Sequence, residues 1–341
     1  MFKNLISMYR PSFVRNISYM LQASEYDPIG YLKWLNRTKN FNSVSKRKEF
    51  VKTKLSVLLY RLLWLGISTN ILIGLIIVVL GISHKIIGGI YYGIAIILIY
   101  PLVWSYIILG FVMLANHVII EPRNRVKLSE AESIFKNHKG KIIAVLGSYG
   151  KTSMKEFLLT VLSEGSVVAA SKANKNVALS HASFSKSLTG KEDVIIVEFG
   201  EGKKGDIALL AKLTHPDIAV ITGLAPAHQN HYKNLNEQAK DLLSIINYVD
   251  KKNIYLNKDS AFGQIKLPSG INLFDNNGIN ELKISKIDVS FEDTKFELTN
   301  GNKKINLITK VIGSHQVKYL TLVAYLAMKL GRYILIRFLN I

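Results

Sequence analysis

Lys141-Ile-Ile-Ala-Val-Leu-Gly-Ser-Tyr-Gly-Lys-Thr-Ser153 is an apolar, β-branched run that ends in Gly147-x-x-Gly150-Lys151-Thr152 and opens onto a segment of helical pattern. A strand, a glycine turn and a helix start in that order make a phosphate-binding loop. Glycines let backbone N–H groups approach an anion, the helix N-terminus adds partial positive charge, Lys151 adds a full one, and the Thr152 hydroxyl is a Mg²⁺ ligand of the right kind. The usual loop has four residues between its glycines; here the first of those glycine positions is Val145. Nucleotide binding is the expectation this stretch sets.

The fold is read outward from it. Short β-branched runs at 141–147, 166–170, 194–198, 217–222 and 253–257 alternate with helix-length segments at 151–163, 177–188, 206–213 and 234–248, which predicts an α/β, P-loop-containing domain with a mostly parallel, doubly wound sheet. Beyond about Gly270 the texture becomes alternating, as in Asp288 to Leu298, and Asn300-Gly301 predicts a hairpin turn. A helix over roughly 314–330 closes the domain, whose expected span is 141–331.

Upstream the chain is different in kind. The net charge is +20, and residues 1–54 hold eleven Lys/Arg against three Asp/Glu. Two uncharged apolar segments come next, Leu62–Ile82 and Ile86–Ala115, each long enough to cross a bilayer and separated only by Ser83-His84-Lys85. Two transmembrane helices are therefore expected to precede the α/β domain as a hairpin within 55–117. Basic residues before the hairpin and at Arg123, Arg125 and Lys127 after it predict a multi-pass protein of the cell membrane with both ends cytoplasmic. Residues 1–54 then read as a basic cytoplasmic segment and 118–140 as a linker. The basic surplus lies beside these spans without an aromatic-interleaved motif, which favours an anionic membrane surface over nucleic acid. The chain has no cysteine, which excludes disulfides, thiolate zinc sites and a cysteine nucleophile.

In a doubly wound sheet, ligands bind at the carboxyl ends of strands where the strand order reverses. Glu198 ends the run 194–198 and His228 lies beyond the run 217–222, so each falls beside the expected loop, Glu198 as a Mg²⁺ ligand.

Taken in order, Gly147-Ser-Tyr-Gly-Lys-Thr-Ser153, Asn174-Lys-Asn176, Glu198-Phe-Gly200, Gly205-Asp-Ile207, Ala225-Pro-Ala-His228, Ala239-Lys240, Asn257-Lys-Asp259 and Gly313-Ser-His315 resemble the central ATPase domain of the Mur ligases, its MurF branch most nearly, over roughly residues 127–331. The resemblance implies that ATP phosphorylates a substrate carboxylate and that an amine attacks the resulting acyl phosphate, forming an amide in cell-wall precursor synthesis. It implies an ATP site of Gly147, Ser148, Gly150, Lys151, Thr152, Ser153, Asn257, Asp259 and His315. Lys151, Lys240 and His228 would be catalytic. Thr152, Glu198, His228 and an N-carbamoylated Lys240 would hold Mg²⁺, and Asn174 and Asn176 would form a substrate loop.

The sequence departs from that family at several of these places. Val177-Ala-Leu-Ser180-His-Ala182 replaces the family's Asn-Glu-x-Gly-x-Pro, Gly223 stands for an Asn, Lys240-Asp241-Leu242 for Lys-Gly-Glu, and Gln316 and Tyr319 for two Asn. The basic segment and hairpin occupy the place of the family's soluble substrate domain, which points to a small-molecule or lipid-linked precursor met at the membrane. The tail 332–341 does not resemble the start of the family's C-terminal domain. That domain is expected to be absent or supplied by a partner chain. A poly-γ-glutamate synthase-like ligase and a truncated, non-catalytic nucleotide-binding membrane protein are the alternative readings.

Overall fold

The computed structural model describes residues 8–9, 12–38, 41, 50–172, 175–226 and 232–331, and the chain divides into two compact units, 1–123 and 124–341.

The first unit is helical. Two short helices, α1 (Phe13–Ala23) and α2 (Pro28–Arg37), precede two long ones, α3 (Lys54–Ser83) and α4 (Ile87–Ala115). The expected basic segment is thus partly folded: Phe13, Ile17, Leu21 and Tyr31 are buried with Leu59, Leu63 and Ile108 in one apolar cluster. Thr53 and Ser56 form a capping box that starts α3. α3 and α4 are antiparallel neighbours in sequence and pack closely, because glycines face the partner helix: a Cβ on Gly66 would lie 2.1 Å from the Trp104 ring, and one on Gly93 2.6 Å from the Gly74 carbonyl. Both helices are long and apolar enough to cross a membrane by length and composition, and α3 exposes Leu65, Leu72, Ile76, Val79 and Leu80 on its outer face.

Residues 118–140, expected as a linker, are mostly helical. After a π-helical stretch at Asn116–Ile120, α5 runs from Glu121 to Lys136. Pro122 in the first turn, Glu121 at the N-terminus and Lys136 at the C-terminus suit a helix. Its apolar anchors are sparse, Leu128, Ala131 and Phe135, and Phe135 is buried in the second unit's core.

The second unit carries a ten-stranded sheet. Its strands are β1 (Lys141–Leu146), β2 (Val168–Ala170), β3 (Val194–Glu198), β4 (Ile218–Ile221), β5 (Ile254–Asn257), β6 (Asn272–Asp275), β7 (Gly278–Ile279), β8 (Leu282–Val289), β9 (Thr294–Asn300) and β10 (Lys303–Thr309). The spatial order is β10-β9-β8-β7-β6-β5-β4-β1-β3-β2. The pairings from β2 to β6 are parallel and those from β6 to β10 antiparallel. The expected hairpin forms between β9 and β10, with Gly301 at φ +56°. The alternating run Asp288 to Leu298 spans the end of β8 and most of β9, joined by a tight turn in which the Ser290 side chain bonds the Asp293 backbone.

Helices cover both faces of the parallel half. α6 (Lys151–Ser163) and α10 (Ser314–Lys329) pack on the face that carries Ile143 and Val145. α8 (Asp206–Thr214) and α9 (Leu235–Leu243) pack on the face that carries Ile142, Ala144 and Leu146. The alternation along β1 sends successive side chains to opposite layers. α7 (Ala178–Ser185) is shorter than the run 177–188 predicted. β1 has β3 on one side and β4 on the other, so the strand order reverses at β1, at whose carboxyl end the glycine loop begins.

Candidate functional site

The loop 147–150 is held by its neighbours before any ligand is considered. Gly147 has φ +135°, and a Cβ there would lie 2.5 Å from the Thr222 hydroxyl and 2.9 Å from the Gly223 nitrogen, so only glycine fits. Ser148 N–H donates to the Gly223 carbonyl at 2.9 Å, and the Thr222 hydroxyl donates to the carbonyls of Leu146 and Tyr149. Gly150, at φ +74°, is the residue from which α6 starts, its carbonyl accepting from Met154 N–H at 2.9 Å. N–H groups of the first helical turn, which have no carbonyl of their own helix to bond, therefore open beside Lys151, Thr152 and Ser153.

The β3 carboxylate faces this turn. Thr152 Oγ1 donates to Glu198 Oε2 at 3.1 Å. Glu198 is nearly fully buried and balanced by Lys155, whose Nζ lies 3.6 Å from Glu198 Oε2 and donates to the Ser171 carbonyl at 3.0 Å. The Ser171 hydroxyl accepts from Glu198 N–H at 3.0 Å, and His181 Nε2 meets the Glu198 carbonyl at 3.0 Å. Burial drives the His181 pKa down to about 4, which keeps the ring neutral.

On the other side of the loop, Lys151 bonds the Gly147 carbonyl and lies 3.9 Å from Glu201, while the Ser148 hydroxyl contacts Glu201 at 3.5 Å and accepts from Gln238 Nε2 at 2.9 Å. Asp241, on the same helix as Gln238, accepts from Gly205 N–H at 2.7 Å and from the Tyr232 hydroxyl at 2.9 Å. Behind the loop, Asn257 Nδ2 donates to the Thr222 carbonyl at 2.8 Å and to the Tyr319 hydroxyl at 3.3 Å, and that hydroxyl donates to the Thr222 carbonyl at 3.0 Å. Burial pushes the Tyr319 pKa up to about 12.

The structure thus gathers Gly147, Ser148, Gly150, Lys151, Thr152, Ser153, Glu198 and Asn257 around one loop. Asp259 accepts from Lys318 at 3.1 Å and from Asn276 N–H at 2.7 Å. The Asn176 carbonyl accepts from Gly200 N–H at 2.8 Å, just beyond Glu198. His315 is exposed at the start of α10, its ring 3.1 Å from Gln316. Lys240 is exposed on α9 and stands outside the hydrogen bonds and ion pairs of this cluster among the described residues. His228 and Asn174 lie outside the described residues. Sequence reasoning passes over Lys155, Glu201, Gln238 and Thr222. Lys155 carries a signal, a charged residue between Met154 and Leu158 on the apolar stripe of α6.

Parallel strands around a central β1, a glycine loop into a helix and a carboxylate beside the helix's first hydroxyl define a P-loop-containing α/β domain. A family model described as the Mur ligase middle domain matches residues 145–327, and the chain belongs to the Mur ligase family. It is 26% identical over 201 residues to the UDP-N-acetylmuramoyl-tripeptide–D-alanyl-D-alanine ligase of Escherichia coli (strain K12), covering 56% of this chain and 44% of that protein. It is 32% identical over 138 residues to the Rickettsia prowazekii (strain Madrid E) ligase of the same name, covering 40% and 31%. Among solved structures, Thermotoga maritima MurF in complex with ADP aligns with a TM-score of 0.56 at 20% identity, over 63% of this chain and 51% of that one. Acinetobacter baumannii MurF gives 0.57 at 18%, over 63% and 49%. The chain spans less than half the length of these two curated relatives, and the structural likeness establishes the fold.

Proposed function

We propose that this chain is a membrane-anchored, ATP-dependent amide ligase of the MurF type that acts on a peptidoglycan precursor. In this reading the loop 147–153 holds the nucleotide phosphates, Lys151 bridges their charge, and Asn257, Asp259 and His315 lie toward the nucleoside. The observation that carries it is the pairing of Thr152 with Glu198 at 3.1 Å beside the open N-terminus of α6. One hydroxyl and one carboxylate suit Mg²⁺, which takes few protein ligands and completes its shell with phosphate oxygens and water. His228 and a carbamoylated Lys240 would add to the set. When bound, Mg²⁺ supplies neutralisation of phosphoryl charge.

The substrate carboxylate attacks the γ-phosphorus of ATP, releasing ADP and leaving an acyl phosphate. The incoming amine attacks the acyl carbon, the amide bond forms, and phosphate leaves. Lys151 and the backbone N–H groups of the α6 N-terminus stabilise the charge that develops on the transferred group. The substrate loop at Asn174 and Asn176 would meet the precursor. The helical hairpin α3–α4 would anchor the chain in the cell membrane with both ends cytoplasmic, and the apolar outer faces of both helices support this. A lipid-linked acceptor suits such an anchor. The closing domain that the reaction needs would come from a partner chain or from a further segment of the same protein.

The test is mass analysis of the product formed by the detergent-solubilised chain with ATP, Mg²⁺, muramoyl tripeptide and D-Ala-D-Ala. A mass gain of one dipeptide with stoichiometric ADP supports the reading. ATP consumption with glutamate alone, and no dipeptide product, replaces it with the poly-γ-glutamate type.

A further inference from the structure

We infer that the cavity on the outer face of α7 seats the phosphate end of the acceptor, taking the diphosphate through which a peptidoglycan precursor is joined to a nucleotide or to a lipid. This rests on the ligase reading of the chain and names where its acceptor is held.

α7 divides its side chains between two surroundings. His181, Ala182 and Ser185 are buried, and His181 reaches the Glu198 carbonyl at 3.0 Å. Ser180, Ser183 and Ser187, spaced to share one face of a helix, instead line a cavity of about 470 Å³ with Lys172 and Lys175 from the segment after β2. Leu179 and Phe184 supply its apolar surface, and no acid lines it. Both lysines are exposed, and neither ammonium has an ion pair or hydrogen bond among the described residues. Two neighbouring lysines are engaged: Lys155 lies 3.6 Å from Glu198, and Lys186, at the end of the same helix, 3.0 Å from Glu130. The Ser183 and Ser187 hydroxyls donate to the Leu179 and Phe184 carbonyls at 3.0 and 2.7 Å, and a serine hydroxyl can turn to a ligand instead.

Two uncompensated cations in a concave place select an anion. Lysine binds phosphate as a point charge, whereas planar, bidentate capture of a carboxylate calls for arginine, and no arginine lines this cavity. Two ammonium groups and three hydroxyls match two linked phosphates. The volume lies within the range of small-molecule sites, and the apolar side chains give carbon surface to whatever the diphosphate carries. The position suits an acceptor. Lys172 follows Ser171, whose hydroxyl accepts from Glu198 N–H, so the cavity lies on the Glu198 side of the phosphate loop and not on the side of Asn257 and Tyr319. A precursor seated here by its diphosphate keeps its carboxylate end free to meet the transferred phosphate beside Thr152. The chain departs from its family at this same place: Ala178 stands for a Glu and Ser180 for a Gly, which removes a negative charge beside the cavity and adds a hydroxyl to it.

The experiment measures equilibrium binding to the detergent-solubilised full chain, with ADP and Mg²⁺ in excess to occupy the loop. The probes are UDP-N-acetylmuramoyl tripeptide, muramoyl tripeptide linked to undecaprenyl diphosphate, and muramoyl tripeptide without phosphate. The chains are the wild type, Lys172→Ala with Lys175→Ala, Ser183→Phe, which fills the cavity, and a control of equal charge, Lys303→Ala with Lys310→Ala, at exposed positions in and just after β10. ADP affinity is measured in each. The expected result is a diphosphate probe bound about tenfold or more tighter than the phosphate-free one by the wild type and the control, a preference lost in both cavity variants, and the same ADP affinity throughout. The probe that shows the preference tells a nucleotide-linked from a lipid-linked acceptor. Equal binding of all probes by the wild type overturns the inference, as does a preference that survives loss of Lys172 and Lys175 or falls equally in the control. Absence of ADP binding in every chain, with the preference intact, removes the nucleotide reading and leaves this site standing.

Discussion

The Thr152 hydroxyl donates to the Glu198 carboxylate at 3.1 Å, joining the first turn of α6 to the end of β3, and Lys155 holds the same carboxylate from one turn further along the helix at 3.6 Å. Lys155 is fully buried and fixed by the Ser171 carbonyl. Its removal leaves Glu198 as a buried anion with too few cationic partners, which costs about 3 kcal/mol or more. Lys155→Met is expected to lower the thermal midpoint by several degrees. Combining it with Glu198→Gln, which removes the stranded charge, is expected to cost less than the sum of the two single changes. Strict additivity in the four melting curves would show that the pair does not interact.

Gly223 and Tyr149 are matched in the same way. A Cβ at Gly223 would lie 2.3 Å from the ring of Tyr149, so the aromatic side chain occupies the space that a side chain at 223 would need. Gly223→Ala is expected to destabilise by about 1–2 kcal/mol through overpacking. In a Tyr149→Ala background the same substitution becomes nearly silent. Equal losses in the two backgrounds, measured by thermal unfolding, would remove this coupling.

His181 makes stability depend on pH in a stated direction. Its pKa falls from an ordinary value near 6.5 to about 4 in the fold because burial disfavours the cation. Between those values the unfolded chain binds a proton that the folded chain does not, so stability is present above pH 6.5 and is lost as pH falls toward 4, by up to about 3 kcal/mol. His181→Gln, which keeps a donor toward the Glu198 carbonyl, is expected to flatten the difference in melting temperature between about pH 7 and about pH 5, which bracket most of that loss. A variant with the wild-type pH profile would assign that dependence to other groups.

The parallel strands β1, β3, β4 and β5 are legible as short apolar runs with a Gly or Asn at or within two residues of their ends, and the glycine loop after Leu146 requires a helix start at Lys151; β6 is not legible, because Asn272-Leu-Phe-Asp275 holds no β-branched residue. The helix over 151–163 is read to the residue, since Gly150 starts it and Gly165 lies just past its end. α5 escapes sequence reading because three apolar anchors in sixteen residues give too weak a period to separate a helix from a charged linker. Of the site, Lys151, Thr152 and Glu198 can be read from their place at element ends, whereas Asn257 comes only from the family resemblance. Glu201 and Gln238 cannot be read, because each reaches Ser148 from an element distant in sequence, and no local pattern marks an acid or an amide as the partner of a remote hydroxyl. Tyr319 is marked in the sequence only as a departure; its packing against Thr222 and Asn257 shows what the larger side chain does.

The central claim is that the loop from Gly147 to Thr152 is a nucleotide site, and Lys151 is its test. Equilibrium binding of ATP to the detergent-solubilised chain, measured by titration in Mg²⁺, compares the wild type with Lys151→Ala. The expected result is saturable binding by the wild type and a loss of about tenfold or more in the variant, because the loop then lacks the full positive charge that Lys151 brings to the phosphates. The same affinity in both chains would contradict the account.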